Sequence, residues 1–169
     1  MADASGPRQW MPLEQWNALV RGESCPLCAE LASNAPVTAE GYTVANLDHS
    51  RLRLAANQWI AGYCVLICTT HVREPFELRA DECAQYFADL MLAASALQRV
   101  FAPIKMNYQI LGNLVPHLHC HLIPRYHGDP APGTPIDMHA QQLSLTPQEY
   151  ANRIARIQQA LRELRDTAF

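Results

Sequence analysis

The fold turns on residues 115–126, VPHLHCHLIPRY. His117, His119 and His121 recur at every second position, with Leu118, Cys120, Leu122 and Ile123 between and after them. Successive side chains of a strand point to opposite faces, so this spacing sets the imidazoles on one face and the apolar side chains on the other. Pro116 and Pro124 bracket the segment, and proline is tolerated at strand ends rather than inside a paired ladder. Burying three imidazoles without partners is costly, which points to chemistry or metal binding.

Around this stretch the chain supplies a sheet. Residues 105–111 read as a strand, Gly112 and Asn113 as a tight turn, and 115–123 as the returning strand of a hairpin. The run YCVLICTT after Gly62 has no polar alternation, as expected of a central strand covered on both faces, and it ends at His71. Residues 42–47 and 51–55 form a second hairpin, whose turn leaves His49 exposed. Between the hairpins, Cys83, Tyr86, Phe87, Leu90, Met91, Ala94, Leu97 and Phe101 make the stripe of a long helix over 80–102, stopped by Pro103.

The ends are helical. Residues 12–22 read as a short amphipathic helix after a loose start over 1–10. HGDPAPGTP at 127–135 is a surface loop, and Thr146, Pro147 and Glu149 open a C-terminal helix with Tyr150, Ile154, Ile157 and Leu161 on one stripe. The organisation expected is an extension over 1–24, a main domain over 25–126, and a loop and helix over 127–169 packed on that domain.

Composition narrows the function. With 169 residues, 49% of them apolar, the chain suits one domain with a sizeable core. A net charge of −3 and a single lysine, Lys105, argue against general nucleic-acid binding. No signal-like or membrane-spanning run stands out, so the chain reads as cytoplasmic, with no membrane partner. Cys64, Cys68, Cys83 and Cys120 lie in apolar segments and read as buried thiols. Cys25 and Cys28 enclose a Pro-Leu turn, which lets two thiolates converge on one tetrahedral metal. Alone they are half a site.

Neutral imidazole is a good nucleophile toward phosphorus near pH 7, and neighbouring imidazoles can donate protons to phosphoryl oxygens. A catalytic metal on three histidines is the competing chemistry. Spacing alone does not choose between them.

PHLHCHLIPRY resembles the signature of the histidine triad family, His-φ-His-φ-His-φ-φ with φ apolar, filled here by residues 117–123. The order of Cys25-x-x-Cys28, the Gly62 strand ending at His71, the long helix and the Gly-polar turn is similar to the family over about residues 25–126. The resemblance implies an α+β fold, an antiparallel sheet of about five strands with packed helices, joined into a continuous sheet across a homodimer. It implies hydrolysis at the α-phosphate of a nucleoside 5′-phosphoryl derivative, either a dinucleoside polyphosphate or a nucleoside phosphoramidate. In that chemistry His119 is the nucleophile, His121 contacts the phosphate, His117 is the outermost triad member and Asn113 hydrogen-bonds the α-phosphate. Arg125, which follows the triad as in many family members, is read as fixing the local turn, approaching phosphate or forming a surface ion pair, and Asn57 as a substitute for the ribose-contacting Asp or Asn that the family carries where Ala55 stands. Leu114 stands where the family often has Ser or Thr. Bacterial relatives imply a structural zinc on Cys25, Cys28, His71 and His117. The alternative function is a nucleotide-binding sensor or adaptor with little turnover.

Overall fold

Among the described residues six strands, all antiparallel, form one open sheet. The computed structural model describes residues 9–33, 35–130 and 132–167, so most of the loose start expected over 1–10 lies outside the described residues. In chain order the elements are α1 (Leu13–Val20), α2 (Pro26–Ser33), β1 (Val37–Thr38), β2 (Gly41–Asn46), β3 (Ser50–Ala55), β4 (Cys64–Cys68), α3 (Ala80–Phe101), β5 (Lys105–Gln109), β6 (His119–Arg125) and α4 (Pro147–Thr167). The strands lie in the order β1-β2-β3-β4-β6-β5, which makes β4 central as its sequence requires.

The pleat gives the sheet two different faces. On one, Leu52, Leu54, Cys64, Leu66, Cys120 and Leu122 pack with Tyr86, Leu90, Ala94 and Leu97 of α3 and Ile157 and Leu161 of α4. On the other, Val65, Ile67 and Ile123 meet Cys25, Leu27 of α2 and, from the far end of the chain, Ile136 and Met138. Phe87 and Met91, expected on the buried stripe of α3, stand 38% and 49% exposed. Asp89 takes a buried place on that helix instead, accepting from His49 N–H and the Ser50 hydroxyl at 2.8 Å each and so locking the β2–β3 turn. His49, expected in the open, is half-buried there, 3.8 Å from Glu82.

The histidine strand differs from its sequence reading at both ends. Residues 110–118 are a loop, so the Gly112-Asn113 turn is only part of the connection, and β6 starts at His119. The reason lies in the backbone donors: Pro116 has none, His117 N–H bonds back to Val115 O at 2.8 Å, and Leu118 N–H goes to Val72 O at 2.6 Å. At the other end Pro124 belongs to β6, opposite Met106 of β5, at a point where pairing with β4 has already ended at Leu122.

α4 begins as read: Thr146 and Glu149 exchange the reciprocal bonds of a capping box, at 2.7 Å from Thr146 N–H and 3.3 Å from Glu149 N–H. Cys25-Pro-Leu-Cys28, read as a turn, is the entry to α2, with Pro26 at its first position.

Candidate metal centre and triad site

Cys25, Cys28, His71 and His117 come from three separate stretches, yet one ligand atom of each lies within 4.8 Å of the others. Cys28 Sγ is 3.2 Å from His71 Nδ1 and 3.4 Å from His117 Nδ1, Cys25 Sγ is 3.5 Å from His117 Nδ1, and the two Nδ1 atoms are 3.1 Å apart. A tetrahedral ion with bonds of about 2.3 Å to sulfur and 2.0–2.1 Å to nitrogen separates its ligands by roughly 3.3–3.8 Å, so the cluster has zinc's size. The outer nitrogens complete the match. His117 Nε2 is 2.8 Å from Cys68 O, and His71 Nε2 is 3.2 Å from Val20 O. A carbonyl only accepts, so both rings carry their proton on Nε2 and turn a bare Nδ1 to the cluster, the arrangement that orients metal-bound histidines. The donors fit a structural Cys2His2 zinc site. Each thiol that bound a metal would release its proton to solvent, the cation stabilising the thiolate against the burial that, with Cys25 beside it, pushes the Cys28 thiol up to about 11.

His119 and His121 project from β6 on the same face, with ring centroids 5.1 Å apart. His119 Nδ1 lies 2.6 Å from His117 O, which fixes the Nδ1–H tautomer and leaves Nε2 with its lone pair. Burial, then the His117 carbonyl in the opposite sense, then the charge of Arg53 act on His119, and the net effect lowers its pKa. For His121, burial first and then His119, His139 and Arg53 bring the pKa down to about 4. Both rings are neutral at physiological pH. Tyr63 Oη lies 2.7 Å from His121 Nδ1.

The remaining expected site residues fall in different places. Asn113 is exposed in the 110–118 loop. Asn57 spends its amide on the chain itself: Nδ2 donates to Met138 O at 3.1 Å and Gln141 O at 2.8 Å, and Oδ1 accepts from Leu143 N–H at 3.0 Å. It pins the 136–143 segment across the triad face. Arg125 is buried and donates to Asp129, Asn107 and Pro130 O at 2.9–3.1 Å, holding the loop that follows β6. Both act as clamps. His127 and His139 are exposed.

Several residues near the site have no signal in the local sequence. Arg53 sits on the rung Arg53–Val65–His121 and pairs with Glu30 of α2, both side chains under a tenth exposed. Arg51, two rungs on and on the same face, donates to Glu30 O and Leu31 O at 3.0 and 3.2 Å, covering the last carbonyls of α2. The helix that carries Cys28 is thus held on the same sheet face as the triad. The other new residues are Tyr63 and the covering pair Ile136 and Met138.

The family model for the HIT domain matches residues 38–128. Protein hit of Bacillus subtilis (strain 168) is 30% identical over 109 residues, spanning 62% of this chain and 72% of that protein. Among solved structures, a histidine triad (HIT) protein from Sinorhizobium meliloti 1021 superposes with a TM-score of 0.66 at 26% identity, over 72% of this chain and 90% of that one. A Zn-bound histidine triad family protein from Mycobacterium smegmatis shares the fold, with a TM-score of 0.62 at 20% identity over 86% of this chain and 98% of that one.

Proposed function

The chain belongs to the histidine triad (HIT) family, and from that membership we propose that it hydrolyses a nucleoside 5′-phosphoryl derivative at the α-phosphorus through a nucleotidyl-histidine intermediate. The observation that carries this reading is the 2.6 Å contact from His119 Nδ1 to His117 O, which leaves Nε2 as an unprotonated nucleophile. His119 Nε2 forms a bond to the α-phosphorus as the bond to the leaving group breaks, and the leaving group departs with its electron pair and takes a proton. Water then attacks the same phosphorus, the phosphorus–nitrogen bond breaks, and a nucleoside monophosphate leaves. His121 and Asn113 meet the charge on the phosphoryl oxygens. His117 contributes through its carbonyl, since its ring faces Cys25 and Cys28.

The zinc is structural in this reading. All four donors come from protein, so no position stays open for substrate, and among the described residues no other group of His, Cys, Asp and Glu is placed to hold an ion. The Zn-bound relative supports the choice of metal. With the His117 ring in that cluster, the geometry speaks against a catalytic metal shared by the three triad histidines. All six cysteines are unbridged, which suits a reducing, cytoplasmic setting. Among the described residues no helix is long and apolar enough to cross a membrane.

A homodimer through β5 is part of the proposal. β5 is one of the sheet's two outer strands, among the described residues no strand pairs with its other edge, and Tyr108 on it with Ile104, Ile110 and Leu111 flanking it stand 37–70% exposed. The second functional reading, a nucleotide sensor with little turnover, draws on Ile136 and Met138, which cover part of the triad face. A panel of diadenosine polyphosphates and adenosine phosphoramidates decides between them. Release of adenosine monophosphate by the wild type and its loss in His119→Ala supports the hydrolase; tight binding with no product supports the sensor.

A further inference from the structure

Tyr63 enters β4 directly after Gly62, whose φ of +80° and lack of a side chain bring the backbone against Phe101, where an added Cβ would stand 2.6 Å from the ring. The backbone there has little freedom. Val65 opposes His121 in the β4–β6 ladder, so Tyr63, two residues back on the same face, is the diagonal neighbour of His121 and within reach of an aromatic side chain. The two rings lie 24° from parallel with centroids 6.0 Å apart, and the phenol oxygen is 2.7 Å from His121 Nδ1. Tyr63 is 7% exposed.

We propose that Tyr63 is a positioning residue for His121: its hydroxyl donates to Nδ1, placing the imidazole proton on Nε2, where it can be given to a phosphoryl oxygen. Burial drives the phenol pKa up, with Cys64 and Glu40 adding to the rise and Arg53 opposing it, so the hydroxyl keeps its proton. A phenol can donate or accept, but among the described residues the Tyr63 hydroxyl has no hydrogen-bond partner besides His121 Nδ1, so donating to that nitrogen is the direction that leaves no buried phenol proton unpaired. His119 is held in the opposite form by a carbonyl, which takes the Nδ1 proton and bares Nε2. Neighbouring imidazoles of one strand are therefore set as nucleophile and donor by two different partners, a main-chain oxygen and a phenol. The donor role rests on the hydrolase reading; the tautomer is a property of the resting protein.

The test is Tyr63→Phe, which removes only the hydroxyl. In two-bond 15N–1H spectra of the substrate-free, metal-loaded protein, wild-type His121 should show a proton on Nε2 and an accepting Nδ1. In Tyr63→Phe that accepting signature should be lost. Turnover should fall about 10- to 100-fold in kcat with KM within about twofold. A wild-type His121 protonated on Nδ1, or a variant whose ring signals and kcat match wild type, would overturn the proposal. So would a variant that loses thermal stability and KM while keeping the wild-type tautomer, because Tyr63 would then be only packing. Absence of turnover from both proteins with the tautomer shift intact counts against the hydrolase reading and supports the assignment of Tyr63 to His121's tautomer.

Discussion

His119 gives its Nδ1 proton to the main-chain oxygen of His117, 2.6 Å away, while the ring of His117 faces the thiols of Cys25 and Cys28 at 3.5 and 3.4 Å. One residue therefore serves two sites, the nucleophile through its backbone and the metal centre through its side chain. The residues of the triad are alike in sequence and divided in work.

Metal removal follows from that relation. The purified protein should contain one zinc, and stripping it with a chelator should lower the melting midpoint by on the order of 10 °C, since a domain of this size shifts roughly 2–4 °C per kcal/mol and a structural site contributes several. Cys28→Ser should reproduce the loss without chelator. Elemental analysis with calorimetry checks both; an unchanged midpoint after complete removal would contradict a structural role.

The acid side of the stability curve carries a second prediction. His121 has its pKa near 4 when folded and near the ordinary 6.5 when unfolded, so between those values the unfolded chain binds more protons. Its contribution is complete above about pH 6.5 and declines as pH falls toward 4, by at most about 1.4 kcal/mol per pH unit. Urea unfolding at pH 7.5, 6 and 5 should show a steeper acid loss for wild type than for His121→Gln. Parallel curves would remove the buried neutral imidazole from the account of stability.

Arg53 and Glu30 form an ion pair with little solvent around it, and among the described residues Arg53 Nε and Glu30 Oε1 are buried there without hydrogen-bond partners. Removing one member strands the other charge, so Arg53→Ala should cost about 3–5 kcal/mol. The double variant Arg53→Met, Glu30→Gln should cost distinctly less, because it leaves no unpaired charge. Equilibrium unfolding reads both values. Equal losses would mean that the pair acts through packing alone.

Much of this arrangement was legible in the chain because it is periodic or local. Alternation in β6, the apolar run of β4, the stripe of α4 with its Thr146–Glu149 box and the Cys25-x-x-Cys28 spacing all repeat within a few residues. What escaped depends on pairings over long separations. Tyr63 meets His121 from 58 residues away, Glu30 meets Arg53 across 23, and Asn57 holds a non-periodic segment more than 80 residues downstream. For Arg125 the sequence allows a role in the local turn, at a phosphate or in an ion pair, and its position after the triad does not choose; the loop that follows supplies a carbonyl and a carboxylate that take its guanidinium. The start of β6 shifted because Pro116 removes one ladder donor and the next two amides bond elsewhere.

Covalent capture on His119 tests the central claim most directly. Protein mixed with an adenosine phosphoramidate, stopped during turnover in alkaline denaturant and digested, should yield the peptide bearing His119 with one added adenylyl group, and His119→Ala should yield none and turn over no substrate. Full turnover by His119→Ala, or an adduct on a different residue of the wild type, would contradict a nucleotidyl-His119 mechanism.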